Sequence, residues 1–142
     1  HMKVYITTPA LSSIKASAGA DVIVNDLLTS NEKLSFQSSS SGSITAEVDA
    51  PAIETDASSG GTVNISGKTK SHISEASSGA SIKTWNLLSE NTSVAASSGA
   101  NAQVHASISL KATGSSGADI TYHGAAAVTN SVSSGASVQK KD

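Results

Sequence analysis

The sequence predicts an all-β protein, a single-stranded parallel β-helix (a solenoid) of about seven turns. Three observations predict this fold. A Ser-Ser-Gly-Ala-like element recurs seven times, its copies lie 18–22 residues apart, and polar and apolar residues alternate around each copy. Large side chains are too scarce for a thick globular core, since 30 of the 142 residues are Ser, 21 are Ala and only 3% are aromatic. Short repeats of this kind are typical of stacked turns that cover one another.

The repeated element predicts a corner between two strands in every turn. We number each copy from its glycine position, which holds Gly19, Ser41, Gly60, Gly79, Gly99, Gly117 and Gly135. Glycine suits a tight corner because it adopts positive φ without a steric penalty. A Ser stands two positions earlier in every copy. We interpret these Ser columns as structural, because a catalytic Ser would occur once beside a base.

Strands are predicted on both sides of the corner. Three positions after it, every copy has an apolar residue: Val22, Ile44, Val63, Ile82, Ala102, Ile120 and Val138. The residue before that one is always polar: Asp21, Ser43, Thr62, Ser81, Asn101, Asp119 and Ser137. A period of two with a constant phase indicates a strand with one buried and one exposed face. Five positions before the corner lies a mixed column: Ile14, Phe36, Thr55, Ser74, Val94, Ala112 and Asn130.

Two connections and one dipeptide are irregular. Residues 25–33 and 86–91 each contain Leu-Leu, and we expect them to form bulged third sides whose leucines pack back onto the rod. The alternation is interrupted at His72-Ile73, and the pattern does not decide which of the two side chains faces the core.

Composition excludes several function classes. All nine basic residues are Lys and the net charge is -2, which is unsuited to nucleic-acid binding. The chain has no Cys for a disulfide framework, and no apolar run approaches the ~20 residues of a membrane span. No motif for a cofactor is present. We interpret residues 1–2 as a cloning scar, and residues 3–142 as one β-helix domain, the C-terminal part of a longer secreted protein.

The closing repeats resemble a known family. Residues 110–124, which contain the corner Ser116-Gly117-Ala118-Asp119-Ile120, and the later Ser133-Ser134-Gly135 resemble the repeats of the putative auto-transporter adhesin, head GIN domain family of Bacteroidetes cell-envelope proteins. The opening residues 4–11 resemble its entry strand. The resemblance implies a right-handed parallel β-helix similar in shape to pectin lyases, an adhesion role and a cell-surface or secreted location. It implies no catalytic residues.

The candidate ligand-binding residues are Trp85, His105 and His123. They lie in an outward column six positions after the corner: Asn25, Glu47, Ser66, Trp85, His105, His123 and Lys141. An exposed Trp beside imidazoles can pack against a sugar ring. Two alternatives stay open: the histidines share a metal, or the three rings form a stabilising aromatic ladder. Without a third ligand we predict no metal site.

Acidic residues give a weaker candidate. Glu54, Asp56 and Glu75 could hold Ca²⁺, but Lys68 and Lys70 lie in the same region and predict a charge-compensated, solvated face. Asp21 and Asp119 are five turns apart, too far for a pair that hydrolyses glycosides.

We therefore expect a non-catalytic binding or adhesion module whose partner is a host or environmental glycan or a matrix protein. The alternative is a purely structural β-helix that self-associates through its ends, where strand edges are unpaired, or through a flat side. We expect the contact at the N-terminal end, because Lys140, Lys141 and Asp142 would discourage stacking at the other. A degenerate polysaccharide-acting enzyme is disfavoured because the chain has no Arg and no clustered acids suited to such a site.

Overall fold

The computed structural model describes residues 2–6, 13–24, 27–29 and 31–141. Within these ranges the regular structure is entirely β. The strands are β1 (Met2–Ile6), β2 (Ser13–Ala16), β3 (Ala20–Val24), β4 (Leu28–Thr29), β5 (Lys33–Ser38), β6 (Ser43–Ala57), β7 (Thr62–Ala76), β8 (Ser81–Lys83), β9 (Leu87–Ala96), β10 (Asn101–His105), β11 (Ser109–Gly114), β12 (Asp119–His123), β13 (Ala127–Val132) and β14 (Ser137–Lys140). No helix in the described ranges could cross a membrane.

The strands form two parallel stacks that meet at the corners. The stack after the corners runs β1, β3, the start of β6, the start of β7, β8, β10, β12 and β14. The stack before the corners runs β2, β5, the end of β6, the end of β7, β9, β11 and β13. Both β6 and β7 are long enough to pass through the two stacks. The prediction of a parallel β-solenoid is confirmed.

The predicted columns are also the observed strand register. Val22 pairs with Ile44, Ile44 with Val63, and Val63 with Ile82. The column continues through Ala102, Ile120 and Val138. All of its members are buried except Val138 in the last turn, which is half-buried. This column forms one row of the core along the axis of the rod, and Leu34, Phe36, Leu87 and Leu110 of the other strands are also buried.

Each corner is a tight turn with two consecutive residues at positive φ. At the fourth corner Ser78 has φ 53° and Gly79 φ 76°, and Ala80 N–H donates to the carbonyl of Ser77 over 3.1 Å. Positive φ at both central residues is the geometry of a type I′ turn. Ser41, with φ 67°, takes the glycine position of the second copy, as predicted. The backbone also connects neighbouring corners, since Gly60 N–H donates to Ser78 O over 3.2 Å.

The structure shows which side chain of the irregular His72-Ile73 pair faces the core. His72 is 1% exposed and its Nε2 lies 3.0 Å from Thr55 Oγ1, whereas Ile73 is 45% exposed. Burial lowers the pKa of His72 to about 4, so the imidazole is neutral in the core at pH 7.

The expectation that both Leu-Leu pairs pack back onto the rod is wrong for two leucines. Leu87 is buried, but Leu88 and Leu27 are exposed. In β9 the reason is the alternation of a strand, which turns successive side chains to opposite faces. Residues 25, 26 and 30 of the first connection lie outside the described residues.

Candidate functional site

The structure brings Trp85, His105 and His123 together on the outside of the rod. The ring centroids of Trp85 and His123 are 4.3 Å apart with planes 34° apart, and those of His105 and His123 are 4.9 Å apart in an edge-on arrangement. His105 and His123 are register partners in β10 and β12. All three side chains are partly exposed. We call these three residues the aromatic cluster.

Trp85 occupies a turn that contains one extra residue. Asn64 pairs with Lys83 and Gly67 pairs with Leu87. Three residues, 84–86, therefore stand opposite only two, 65–66. Leu87 N–H closes the turn by donating to Thr84 O over 3.1 Å. An extra residue of this kind changes the direction in which a side chain points. Here the indole extends past the turn of His105 and contacts His123.

Sequence reasoning placed Trp85 in a regular strand column and the irregular connection at 86–91, whereas the extra residue lies within 84–86 and β9 already begins at Leu87. The available signal was the spacing, because the corners at residues 79 and 99 are 20 residues apart while the neighbouring spacings are 19 and 18. Spacing alone, however, does not say where along a turn the additional residue lies.

A shallow groove of about 480 Å³ runs beside the aromatic cluster. It is lined by Asn64, Lys83, Trp85, Asn86, Gln103, Thr121 and Lys141. Its floor is an outward column of the sheet, in which Lys83 pairs with Gln103 and Gln103 with Thr121. Trp85 lines one edge. We call this the Trp85 groove.

Sequence reasoning also missed the groove floor. The floor residues lie two positions before the aromatic column, so the strand alternation that exposes His105 and His123 exposes them as well. Their amide, hydroxyl and ammonium groups are ordinary surface chemistry, and only the neighbouring indole distinguishes them as a group.

The two imidazoles differ in their surroundings. His105 Nδ1 is buried without a hydrogen-bond partner in the described part of the chain. Burial, followed by the proximity of His123, lowers the pKa of His105 and favours its neutral form. His123 Nδ1 lies 3.3 Å from the carbonyl oxygen of Lys141. Among the described residues no group of three or more His, Cys, Asp or Glu side chains could hold a metal ion.

The acidic candidates lie elsewhere on the rod. Asp56 and Glu75 are register partners, as the sequence placed them. Glu54 forms an ion pair with Lys33. Lys68, expected to compensate this group, instead lies opposite Asp49. Lys68 lies several residues before Glu75 in β7, so it belongs to a different register row from the acidic residues.

Asp21 and Asp119 each accept a hydrogen bond from a serine on the next turn. Ser43 Oγ donates to Asp21 over 2.5 Å, and Ser137 Oγ donates to Asp119 over 2.6 Å. These carboxylates connect neighbouring turns of the solenoid.

A second groove of about 610 Å³ lies on the side of the rod that carries Leu88. Its lining includes Ala50, Pro51 and Leu88, and it contains charges of both signs: Asp49, Glu90, Lys68 and Lys70. His105 also lines it, so the aromatic cluster borders both grooves.

Solved structures share this fold. A putative adhesin from Bacteroides fragilis NCTC 9343 matches with TM-score 0.81 and 18% identity, over 94% of this chain and 61% of that one. A putative lipid binding protein from Parabacteroides distasonis ATCC 8503 matches with TM-score 0.76 and 14% identity, over 93% and 62%. A putative adhesin from Parabacteroides merdae ATCC 43184 matches with TM-score 0.69 and 21% identity, over 92% and 64%. The chain thus spans less than two thirds of each of these structures, and the likeness shows the fold alone.

No curated protein matches the sequence. Residues 1–126 match the family described as putative auto-transporter adhesin, head GIN domain. The match covers most of the chain and includes the first six of the seven corners. The chain therefore belongs to the putative auto-transporter adhesin, head GIN domain family.

Proposed function

We propose that this domain is a non-catalytic binding module of a cell-surface or secreted adhesin, and that the Trp85 groove binds a saccharide of a host or environmental glycan. The observation that carries the proposal is the partly exposed indole of Trp85, held against His123 at the edge of a row of hydrogen-bonding side chains. Membership of an adhesin family supports the surface role.

The groove has the chemistry that a sugar requires. A sugar ring has an apolar C–H face that packs on an indole, and hydroxyl groups at its edge that both donate and accept hydrogen bonds. The amides of Asn64 and Gln103 and the hydroxyl of Thr121 can make such bonds in either direction. Because the floor is a sheet, the backbone that carries these groups is fixed before the ligand arrives, which lowers part of the entropic cost of binding.

The lining also supports binding without catalysis. Glycoside hydrolysis generally needs two carboxyl groups on either side of the scissile bond. None of the groove's lining residues is acidic, and Asp21 and Asp119 lie at opposite ends of the rod.

The test is binding of the purified chain to an array of glycans and matrix proteins, with Trp85→Ala and Leu88→Ala measured beside it. Leu88→Ala is the matched control, because it removes a large exposed apolar side chain (49% exposed) from the other groove. We expect Trp85→Ala to weaken saccharide binding about ten-fold or more, and Leu88→Ala to leave it unchanged. Equal loss in both variants, or full binding by Trp85→Ala, contradicts the proposal.

A second candidate function is self-association through the end of the rod. Among the described strands, β13 pairs only with β11 and β14 only with β12, so both have an unpaired edge. Val132 is 46% exposed there, and Val128 and Val138 are only partly buried. Unpaired edges with apolar neighbours favour pairing with another chain.

Analytical ultracentrifugation tests this second function. If the last turn mediates association, the chain sediments as a concentration-dependent oligomer and Val132→Lys shifts it to monomer. Ile108→Lys is the matched control, because Ile108 is 58% exposed on the side of the rod. A monomer at all concentrations, or equal effects of both variants, contradicts this role.

A further inference from the structure

The residues that line the Trp85 groove carry a net positive charge. Lys83 and Lys141 both line it, and its other lining side chains are neutral. The second groove differs, because there Lys68 and Lys70 are accompanied by Asp49 and Glu90. The charge of the Trp85 groove also opposes that of the whole chain, which is -2.

Among the carboxylates in the described part of the chain, Asp119 is the one nearest to this lining in the strand pattern. It lies in the neighbouring outward column, two positions before Thr121, and lines an adjoining small depression together with Lys83, Gln103 and Thr121. Its Oδ1 accepts a hydrogen bond from Ser137 over 2.6 Å. Asp119 is thus engaged with the next turn and is not part of the Trp85 groove lining.

The two lysines are separated along the rod. Lys83 lies in a register row that runs from Asn64 through Lys83 to Gln103, Thr121 and Gln139. Lys141 belongs to the turn of Gln139, and its N–H donates to Tyr122 O over 2.8 Å. Three strand spacings therefore separate the turns of the two lysines, which is about 14 Å along the axis. This distance suits an oligosaccharide better than a single sugar.

We propose that the Trp85 groove selects a carboxylate-bearing oligosaccharide, one that contains uronic acids. A sugar ring packs on Trp85 while carboxylates on either side of it meet the ammonium groups of Lys83 and Lys141. This inference rests on the proposed saccharide site. Ion pairs at an exposed groove are individually weak and are screened by salt, so the selectivity is modest and falls as ionic strength rises.

The experiment compares two probes that differ only in charge: a hyaluronan hexasaccharide and the same oligosaccharide with its carboxylates methyl-esterified. Binding to the intact chain is measured by titration calorimetry and by the fluorescence of Trp85, the only Trp in the chain. We expect the acidic form to bind about ten-fold tighter at low salt. The preference should disappear in the double variant Lys83→Gln/Lys141→Gln. It should persist in Lys111→Gln, because Lys111 is exposed on β11, in the other stack.

The outcomes separate this inference from the proposed function. Equal, Trp85-dependent binding of both probes overturns the charge selectivity and leaves the saccharide site in place. A preference for the acidic form that survives the double variant overturns the role of the two lysines. Failure of both probes to bind overturns the inference, while retained Trp85-dependent binding of neutral glycans on the array would still support the proposed function.

Discussion

The indole of Trp85 lies against the imidazole of His123, with ring centroids 4.3 Å apart, although the two residues belong to turns that are not adjacent. The turn between them holds His105, whose ring centroid is 4.9 Å from that of His123. Successive strands are about 4.8 Å apart, so the turns of the two residues are about 10 Å apart along the rod, and the indole has to reach towards His123 for the rings to meet. The extra residue in the turn 84–87 provides this reach.

The first prediction concerns this contact. His123→Ala removes the ring on which the indole lies, so we expect Trp85 to become more exposed. Its fluorescence emission should shift to longer wavelength, and acrylamide should quench it more efficiently. The loss of aromatic contact should also lower the free energy of unfolding by about 1 kcal/mol.

The comparison variant is His105→Ala, which leaves the contact between Trp85 and His123 in place. It should change the emission less than His123→Ala does. If the emission of the His123→Ala variant matches that of the unchanged chain, the described packing of the indole is wrong.

The second prediction is a pH dependence of stability caused by His72. Burial lowers the pKa of His72 from 6.5 to about 4, so at intermediate pH the unfolded chain binds a proton that the folded chain does not. The stability is therefore fully present above pH 6.5 and falls as the pH decreases towards 4. Over this range the His72 contribution should reduce the free energy of unfolding by about 3 kcal/mol.

Urea denaturation between pH 7.5 and pH 4 measures this effect. His72→Gln keeps a polar partner for Thr55 but does not titrate, so its free energy of unfolding should fall less steeply with decreasing pH. The lowered pKa of His105 acts in the same direction in both proteins and cancels in the comparison. Parallel pH profiles for the two proteins would contradict a buried, neutral His72.

The third prediction tests the inward and outward faces with one substitution at two isoleucines. Ile82 is 1% exposed in the core column, and Ile73 is 45% exposed on β7. Ile82→Asp buries a carboxylate without a partner and should cost at least about 4 kcal/mol, which is enough to unfold the neighbouring turns. Ile73→Asp should change stability by no more than about 1 kcal/mol, most of it from the acidic register partner Glu54. Thermal unfolding followed by circular dichroism distinguishes them, and equal effects would mean that the faces are assigned incorrectly.

The sequence largely predicted which side chains face the core and which face outward, because both follow from a repeated pattern. Seven copies in constant phase fix which residues share a column, and the register from Val22 to Val138 is the predicted one. A period of two also determines which side chains lie inside, apart from breaks such as His72-Ile73. At this dipeptide the strand register determines which side chain is buried, since His72 lies between Ile53 and Thr92 in a buried column.

The candidate site was less predictable because its geometry depends on a departure from the repeat. The sequence placed Trp85, His105 and His123 on one outward face. It did not show that Trp85 lies in a turn with an extra residue, nor that this turn forms one edge of a groove. Backbone conformation was also only partly predicted. Glycine explained one positive φ at six of the seven corners, whereas Ser78 and its counterparts adopt a second, and the second corner has Ser40 and Ser41 at positive φ.

The fourth prediction concerns Gly67, opposite the turn that carries Trp85. Its φ is 123°, and a Cβ built on it would lie 1.8 Å from the carbonyl oxygen of Val48. Gly67→Ala should therefore destabilise the solenoid by about 3 kcal/mol or more, since backbone strain and overlap both contribute. Gly67 N–H also donates to Asn86 O, so the turn should shift and change the emission of Trp85.

The control for this prediction is Gly79→Ala. Gly79 also has positive φ, but no atom lies within 4 Å of the Cβ position, so only the conformational cost of about 1 kcal/mol applies. Chemical denaturation of the two variants measures the difference. Equal destabilisation would contradict the close approach of Gly67 to Val48.

The most direct test of the account is nuclear magnetic resonance of the single indole N–H during a saccharide titration. Trp85 is the only Trp, so the ¹H–¹⁵N spectrum contains one indole cross-peak that reports on the Trp85 groove alone. We expect a saccharide identified on the array to shift this cross-peak, together with the side-chain amides of Asn64 and Gln103, along one saturable curve. Saturable binding that leaves the indole and these amides unmoved would contradict a saccharide site in the Trp85 groove.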